Sequence, residues 1–159
     1  MSSDNSSLSF YFQLSLEGIP HNTSFKEVSG ISRGMETEEI TEGGINEFKH
    51  RVPTTSKFTN LILKRGIASK NSDLINWCSS ILSGGLEIAI ITKNIEVSLL
   101  DEKGDPLKSW NFKNAWPIKW EVSDLSSMNN EVLIEILEFS YSYFEVLSVV
   151  NKPPTSLFD

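Results

Sequence analysis

Apolar and polar residues alternate with period two along most of the chain, a pattern typical of β-strands with one buried face. In the first such run the apolar residues of one parity are Leu8, Phe10, Phe12, Leu14 and Leu16. Further strands are predicted at Phe25–Ile31, Leu61–Gly66, Ile95–Leu99, Leu107–Phe112, Trp116–Val122 and Glu131–Phe144. Asp101–Asp105 is predicted to be a hairpin loop, and Pro117 suggests a strand edge or a bulge.

One segment departs from this alternation and predicts a helix. Its apolar residues recur at helical spacing, namely Leu74, Cys78, Ile81 and Leu82. Asn71 or Ser72 can cap this helix, and Asp73 suits its positive N-terminal end. Gly84-Gly85 ends it.

The pattern therefore predicts a mainly β protein, an antiparallel β-sandwich or barrel with one α-helix packed on it. Its 159 residues fit one domain with room for a core. We expect this domain to span residues 8–144. Residues 1–7 are interpreted as a flexible lead-in, and residues 145–159 as a C-terminal tail.

Residues 35–52 predict a hairpin in which neither face is apolar. Gly43-Gly44 is a two-residue turn signal. With that turn, the predicted cross-strand pairs are Glu42 with Ile45, Ile40 with Glu47, Glu38 with Lys49 and Glu36 with Arg51. Acidic residues then face basic ones, and each exposed pair of this kind contributes roughly 0.2–1 kcal/mol.

This hairpin has two interpretations. It is either a solvated surface hairpin or an arm that docks on a neighbouring subunit. A lone two-stranded ribbon is marginally stable in water, and its open edges invite pairing with another chain. The candidate interface residues are Glu36, Glu38, Ile40, Glu42, Gly43, Gly44, Glu47, Lys49 and Arg51.

Charge argues against a nucleic-acid-binding surface. The chain has 14 basic and 21 acidic residues, for a net charge of -7, whereas phosphate binding needs a clustered basic excess. The single cysteine, Cys78, cannot form an intrachain disulfide. The sequence shows neither a secretory signal nor a membrane-spanning run of about 20 apolar residues.

No constellation of catalytic residues is found, so the chain is not expected to be an enzyme or to hold a metal or cofactor. His21 and His50 lie apart from other residues at metal-ligand spacing. Cys78 is interpreted as a small core residue, since no Cys/His motif accompanies it. Trp110, Trp116 and Trp120 leave one alternative from a different class, a carbohydrate-binding module that stacks sugars on these rings.

Several phrases, read in order, resemble the tail tube proteins of contractile phages, in the branch found in extracellular contractile injection systems. They are Phe25–Ile31 (FKEVSGI), Glu36–Gly44 (ETEEITEGG), Asn60–Gly66 (NLILKRG), Leu74–Trp77 (LINW), Trp110–Pro117 (WNFKNAWP) and the closing strand through Phe144. The resemblance covers about residues 8 to 144. The tail from Glu145 to Asp159 has no clear counterpart in the family.

This resemblance implies a tail-tube fold in which six copies form a ring around a lumen and rings stack into a tube. The implied partners are further copies of the chain, sheath subunits, baseplate proteins and effector cargo in the lumen. A family hairpin that crosses subunit or ring boundaries falls on Glu36–Arg51. A specialised tube-initiating or baseplate-end ring is the close alternative. The particle would be assembled in the cytoplasm and released outside the cell.

Overall fold

The computed structural model describes residues 10–19, 22–40, 50–66, 73–87, 89–123 and 133–147. Within these ranges it contains ten strands and one α-helix. A short 3₁₀ turn at Gly85–Glu87 directly follows the helix. The elements are β1 (Tyr11–Leu16), β2 (Thr23–Phe25), β3 (Glu27–Ser29), β4 (Arg33–Ile40), β5 (His50–Phe58), β6 (Leu61–Gly66), α1 (Asp73–Gly84), β7 (Lys93–Leu100), β8 (Pro106–Val122), β9 (Ile134–Ser140) and β10 (Tyr143–Leu147).

The alternation seen in the sequence becomes the two faces of each strand. In β1, Leu14 and Leu16 are buried while Ser15 between them is partly exposed. In β6, Leu61 and Leu63 are fully buried, and Ile62 between them is half-buried. Successive side chains of a strand point to opposite faces, so the apolar parity turns inward and the polar parity outward.

The strands form two antiparallel sheets that share β8. The order is β2-β1-β7-β8-β9-β6-β3, and β10 also pairs with β8. The N-terminal part of β8 pairs with β7 and β10, and its C-terminal part pairs with β9. At the other corner β2 leads directly into β3, where the Lys26 amide donates to the Lys64 carbonyl at 3.0 Å. This confirms the predicted antiparallel sandwich or barrel.

β8 is longer than the sequence pattern suggested. Two strands were predicted at Leu107–Phe112 and Trp116–Val122, but the chain between them stays in the ladder. Where β8 passes from one sheet to the other, Asn114 adopts a left-handed backbone conformation with φ 54°. A register shift between Pro117 and Lys119 follows, which agrees with the bulge predicted at Pro117, because proline cannot donate to a ladder.

The predicted single closing strand is instead two strands. β9 ends at Ser140 and β10 begins at Tyr143, so Tyr141 and Ser142 interrupt the strand. The Ser142 amide donates to the Lys113 carbonyl at 2.9 Å, opposite the bend in β8. The ladder therefore turns from one sheet to the other at this point, and no single straight strand can follow both. β10 continues to Leu147, three residues beyond the domain end expected at 144.

The core lies between the two sheets and is closed by α1. Its large, fully buried side chains come from both sheets and include Phe25, Phe112, Phe139, Leu14, Leu61, Leu63, Ile95 and Leu137. The predicted helix is confirmed, with Leu74, Trp77 and Cys78 buried. The indole of Trp77 stacks on the Phe139 ring, with centroids 6.0 Å apart. Leu82, expected on the same apolar face, is 40% exposed. The proposed caps Asn71 and Ser72 lie outside the described residues.

We predict that Phe139→Ala lowers the free energy of unfolding by about 3–5 kcal/mol, because it leaves a cavity and removes the ring under Trp77. Chemical denaturation followed by Trp fluorescence measures this change. Leu107→Ala, at a side chain that is 47% exposed, is the control and should change the stability far less. Equal losses in the two variants would contradict the assigned core.

Candidate assembly site

The predicted hairpin forms a two-stranded ribbon, β4–β5, that is separate from the main sheets. All eight residues of β4 are exposed. In β5, Val52 and Phe58 are half-buried, and the other side chains described from Arg51 to Lys57 are exposed. A two-stranded ribbon with so little burial is not stabilised by a core of its own.

The predicted cross-strand pairing of the ribbon is wrong. Glu38 lies opposite Val52 rather than Lys49, Ile40 lies opposite His50 rather than Glu47, and Arg51 faces Glu39 rather than Glu36. The observed register of the two strands therefore differs from the predicted one by three residues. The predicted pair of Glu42 with Ile45 lies outside the described residues.

The physical reason for this error is that register was inferred from the turn alone. A Gly43-Gly44 turn of two residues would fix the pairing from the tip. The register is instead set at the base of the ribbon, where Arg33 pairs with Phe58. The register then shifts between Met35 and Thr37. Pro53 lies next to that shift, where the missing N–H of proline is tolerated. Nine residues, 41–49, separate Ile40 from His50.

The charged residues of the ribbon have partners other than those predicted. Each observed pair nevertheless joins an acidic residue of β4 to a basic residue of β5. Arg51 Nη2 lies 3.4 Å from Glu39 Oε1, and Lys57 Nζ lies 3.6 Å from Glu36 Oε1. All four side chains are largely solvated, and such exposed ion pairs contribute roughly 0.2–1 kcal/mol each. The pairs help fix the register of the ribbon, and they do not supply the stability that a core would.

The base of the ribbon is fixed firmly to the main body. Arg33 Nη2 donates a 2.7 Å hydrogen bond to the carbonyl of Phe144, the second residue of β10. The same guanidinium lies 4.7 Å from the centre of the Phe144 ring. On the opposite strand, the Phe58 ring meets Tyr141 and Phe144 edge-on, with centroids 6.0 and 5.7 Å apart. The ribbon therefore projects from an aromatic cluster at the junction of β9 and β10.

Two further hydrogen bonds hold the chain where it enters and leaves the ribbon. Thr59 Oγ1 donates to the Gly30 carbonyl at 2.8 Å, and the Tyr141 hydroxyl donates to the Thr59 carbonyl at 2.7 Å. Gly30 has φ +86°, and a Cβ at this position would overlap the backbone carbonyl of Asn60. Only glycine combines this conformation with such a close approach.

The structure places some of the predicted interface residues and leaves others undescribed. Glu36, Glu38, Ile40 and Arg51 lie along the ribbon, and Ile40 is 45% exposed. Glu42, Gly43, Gly44, Glu47 and Lys49 lie outside the described residues.

The sequence interpretation missed the base residues Arg33, Phe58, Tyr141 and Phe144. Arg33 and Phe144 are 111 residues apart in the chain. No local pattern relates residues at that separation, so no signal in this one sequence could have found the pair.

The three tryptophans that suggested a sugar-stacking surface are spread along a single strand. They lie on β8, with Trp110 and Trp116 partly buried and Trp120 49% exposed. At about 3.3 Å per residue they are spaced roughly 20 and 13 Å apart along the strand. The indole N–H of Trp120 donates to Glu135 Oε1 at 2.6 Å, so its edge is already used within the domain.

A buried ion pair lies beneath this tryptophan. Arg65 Nε donates to Glu135 Oε2 at 2.8 Å, and both side chains are 8% exposed. The Arg65 guanidinium also lies 5.3 Å from the centre of the Phe25 ring. Each charge therefore has a partner, as a buried charge requires. We interpret the pair as structural.

Cys78 lies in the helix beside this pair and is 1% exposed. Burial, and secondarily the negative charge of Glu135, raises the pKa of its thiol to about 12. The thiolate is the reactive form of cysteine. Cys78 therefore stays a neutral core residue, as the sequence suggested.

Neither a metal-binding cluster nor a membrane-spanning helix occurs in the part of the chain that the structure describes. No cluster of three or more His, Cys, Asp or Glu side chains there could hold a metal ion. No helix within the same ranges has the length and apolar character needed to span a bilayer.

The β-body and the ribbon that it carries lie in a segment that matches a known protein family. The sequence model of the T4-like virus tail tube protein gp19 family matches residues 8–145. The chain belongs to this family. The predicted resemblance is thereby confirmed, and the protein is a tail tube protein. A comparison with curated proteins gave no match.

Solved structures share the fold of this tail tube protein. A chain of the six-fold symmetrised baseplate of the anti-feeding prophage is 29% identical, with 94% of this chain and 99% of that chain covered and a TM-score of 0.73. A chain of the sheath–tube complex of the PVC extracellular contractile injection system, in the extended state, is 21% identical, with 87% and 88% covered and a TM-score of 0.72. Hcp1 from Salmonella typhimurium is 14% identical, with 89% and 88% covered and a TM-score of 0.55.

We predict that Gly30→Ala lowers the free energy of unfolding of the tail tube protein by about 1–3 kcal/mol or more. A non-glycine residue is strained at this φ, and its Cβ has no space. Gly34→Ala is the matched control, because its added Cβ would meet nothing closer than the Lys57 carbonyl at 3.9 Å. Equilibrium denaturation of both variants measures the difference. If the two variants were equally stable, the close packing assigned to the ribbon base would be refuted.

Proposed function

We propose that this tail tube protein forms hexameric rings that stack into the inner tube of a contractile, phage-tail-like injection particle. The observation that carries the proposal is the β4–β5 ribbon, which is anchored at its base and has almost no buried surface along its length. A ribbon built in this way needs a second surface, and another copy of the chain supplies one in a tube.

The open edges of the sheets support the same proposal. Within the described residues, β2 pairs with β1 alone, β3 with β6 alone and β10 with β8 alone. Edge strands present unpaired backbone groups that can template pairing with another chain. A heterologous contact repeated with six-fold rotation closes a ring, and a repeated contact between rings builds a tube.

The role we infer is structural. Sheath subunits and baseplate proteins are the proposed neighbours, and effector cargo is the proposed occupant of the lumen. The sheath–tube complex and the baseplate among the structural neighbours support the first two partners. We infer assembly in the cytoplasm and release in a particle that acts outside the cell.

A second candidate is a specialised ring at the baseplate end of the tube. It is favoured by the higher identity to the chain from a baseplate structure, 29%, than to the chain from the sheath–tube complex, 21%. Labelling the protein in intact particles and locating the label by electron microscopy separates the two candidates. Label along the whole shaft supports the tube, and label at one end supports the terminal ring.

We predict that electron microscopy of the native particle, or of the concentrated protein with an initiating ring, shows six-fold rings of this chain around a central hole. The ribbon and the open edges of the body provide the contacts that such a ring needs. Monomers under all of these conditions, together with particles lacking the chain, would sink the proposal.

We predict that the double variant Glu36→Lys/Glu38→Lys impairs ring closure or stacking and leaves the monomer folded. The Glu36–Lys57 pair that it breaks is exposed and contributes at most about 1 kcal/mol. The measurements are circular dichroism of the monomer and the yield of rings by negative-stain microscopy. Glu102→Lys/Asp105→Lys makes the same charge change on the β7–β8 loop and serves as the control. Normal assembly of the Glu36/Glu38 variant would refute the docking role of the ribbon.

A further inference from the structure

A small cavity opens beside the buried Arg65–Glu135 ion pair, where β6 meets the corner between β2 and β3. It has a volume of about 160 Å³ and is lined by Lys26, Glu27, Lys64, Arg65, Gly66 and Ile134. A cavity of roughly 150 Å³ can hold a molecule of the size of benzene. The cavity therefore has room for a small ligand, and none of its lining residues belongs to the ribbon.

The walls of the cavity are fixed by backbone hydrogen bonds of the sheet. The Lys26 amide donates to the Lys64 carbonyl at 3.0 Å, which holds the corner against β6. On the other side of β6, Gly66 lies opposite Ile134 in the ladder with β9. A site that is already fixed in one conformation loses little entropy when a ligand binds.

Arg65 brings a buried charge to this cavity. Its side chain is 8% exposed, and its Nε donates to Glu135 Oε2 at 2.8 Å. The other oxygen of the same carboxylate accepts a hydrogen bond from the Trp120 indole at 2.6 Å. Glu135 is thus held through both oxygens, and it orients the guanidinium through Nε alone.

The Nη groups of Arg65 are left for another partner. Within the described residues they make no hydrogen bond, and the one fully buried side-chain polar atom without a partner there is Asn111 Oδ1. The Nη groups therefore reach accessible space, and the space beside Arg65 is this cavity. The paired N–H groups at the end of a guanidinium match the oxygens of a carboxylate or a phosphate.

The charges around the cavity favour an anion. Three cationic side chains and two carboxylates lie here, namely Lys26, Lys64, Arg65, Glu27 and Glu135. They leave one positive charge in a chain whose net charge is -7. Glu27 is paired with Lys64 at 3.7 Å, whereas Lys26 has no ion pair within the part of the chain that the structure describes.

We propose that this cavity binds a carboxylate carried on a short apolar stem. The Nη groups of Arg65 and the Lys26 ammonium hold the carboxylate, while the stem packs on Ile134 and on the aliphatic parts of the lysine side chains. The carboxylate belongs either to a free organic acid or to an acidic side chain of a partner protein, since both present the same group. The site goes beyond the proposed assembly and does not depend on it.

The test titrates the purified protein with butyrate and follows the indole N–H signals by NMR. The Trp120 indole donates to Glu135, the partner of Arg65, so a ligand on Arg65 shifts the Trp120 signal, which Trp120→Phe assigns by its loss. We expect a saturable shift with butyrate and none with butyramide, which has a similar shape and no charge. The absence of a saturable shift, or an equal shift with butyramide, would overturn the inference.

Lys26→Gln removes the cation that has no ion pair, and Lys103→Gln on the β7–β8 loop is the matched control. We expect Lys26→Gln to weaken butyrate binding about two- to fivefold, the effect of losing one exposed charge pair. Lys103→Gln should leave the binding unchanged. Both lysines are exposed, so neither change should lower the unfolding temperature. Equal butyrate affinity in the two variants would place the anion elsewhere and overturn the assigned site.

A carbodiimide reaction on the native particle distinguishes the two sources of the carboxylate, because it joins a lysine amine to a carboxylate in contact with it. A crosslink from Lys26 to an acidic residue of another molecule, lowered by added butyrate, identifies a protein side chain as the ligand. If butyrate binds the purified protein and no such crosslink forms, the ligand is a free organic acid.

Discussion

The ladder between β8 and the β9–β10 pair is the constraint on which the rest of the structure depends. β8 is 17 residues long and pairs in both sheets, so the two sheets cannot move independently. The bend at Asn114 and the break at Tyr141–Ser142 lie opposite each other in this ladder. That corner carries Tyr141 and Phe144, which pack with the core and also hold the base of the ribbon.

The ribbon combines a rigid base with an unsupported length. At the base, Arg33 donates to the Phe144 carbonyl, and the Phe58 ring packs against Tyr141 and Phe144. Along the length, exposed ion pairs contribute a few tenths of a kcal/mol to roughly 1 kcal/mol each, which is too little to stabilise a two-stranded ribbon alone. A rigidly aimed element that lacks a core is suited to docking, because its direction is fixed before a partner arrives.

The buried ionisable side chains of the interior are either paired or neutral. The buried side chains of Arg65 and Glu135 neutralise each other, and Glu135 also accepts a hydrogen bond from the Trp120 indole. The Cys78 thiol is held protonated by burial. Two surface features, the ribbon and the open strand edges, are the ones from which we infer assembly. The inferred assembly agrees with membership of the tail tube family.

The sequence by itself determined the fold class, the helix and the existence of the ribbon. Leu14, Leu16, Leu61 and Leu63 are inside because period-two alternation is a local property that directly encodes which face of a strand is buried. The ordered family phrases likewise determined the tail-tube assignment. Local patterns of this kind can be read from one sequence.

Tertiary structure alone decided the register of the ribbon, its attachment and the break in the closing strand. The Gly43-Gly44 signal predicted a register three residues away from the observed one, because the ladder is anchored at Arg33 and Phe58 and shifts beside Pro53. Arg33 reaches a carbonyl 111 residues away, and Arg65 finds Glu135 across 70 residues. Such contacts depend on how the sheets bend and pack, and no local periodicity carries that information.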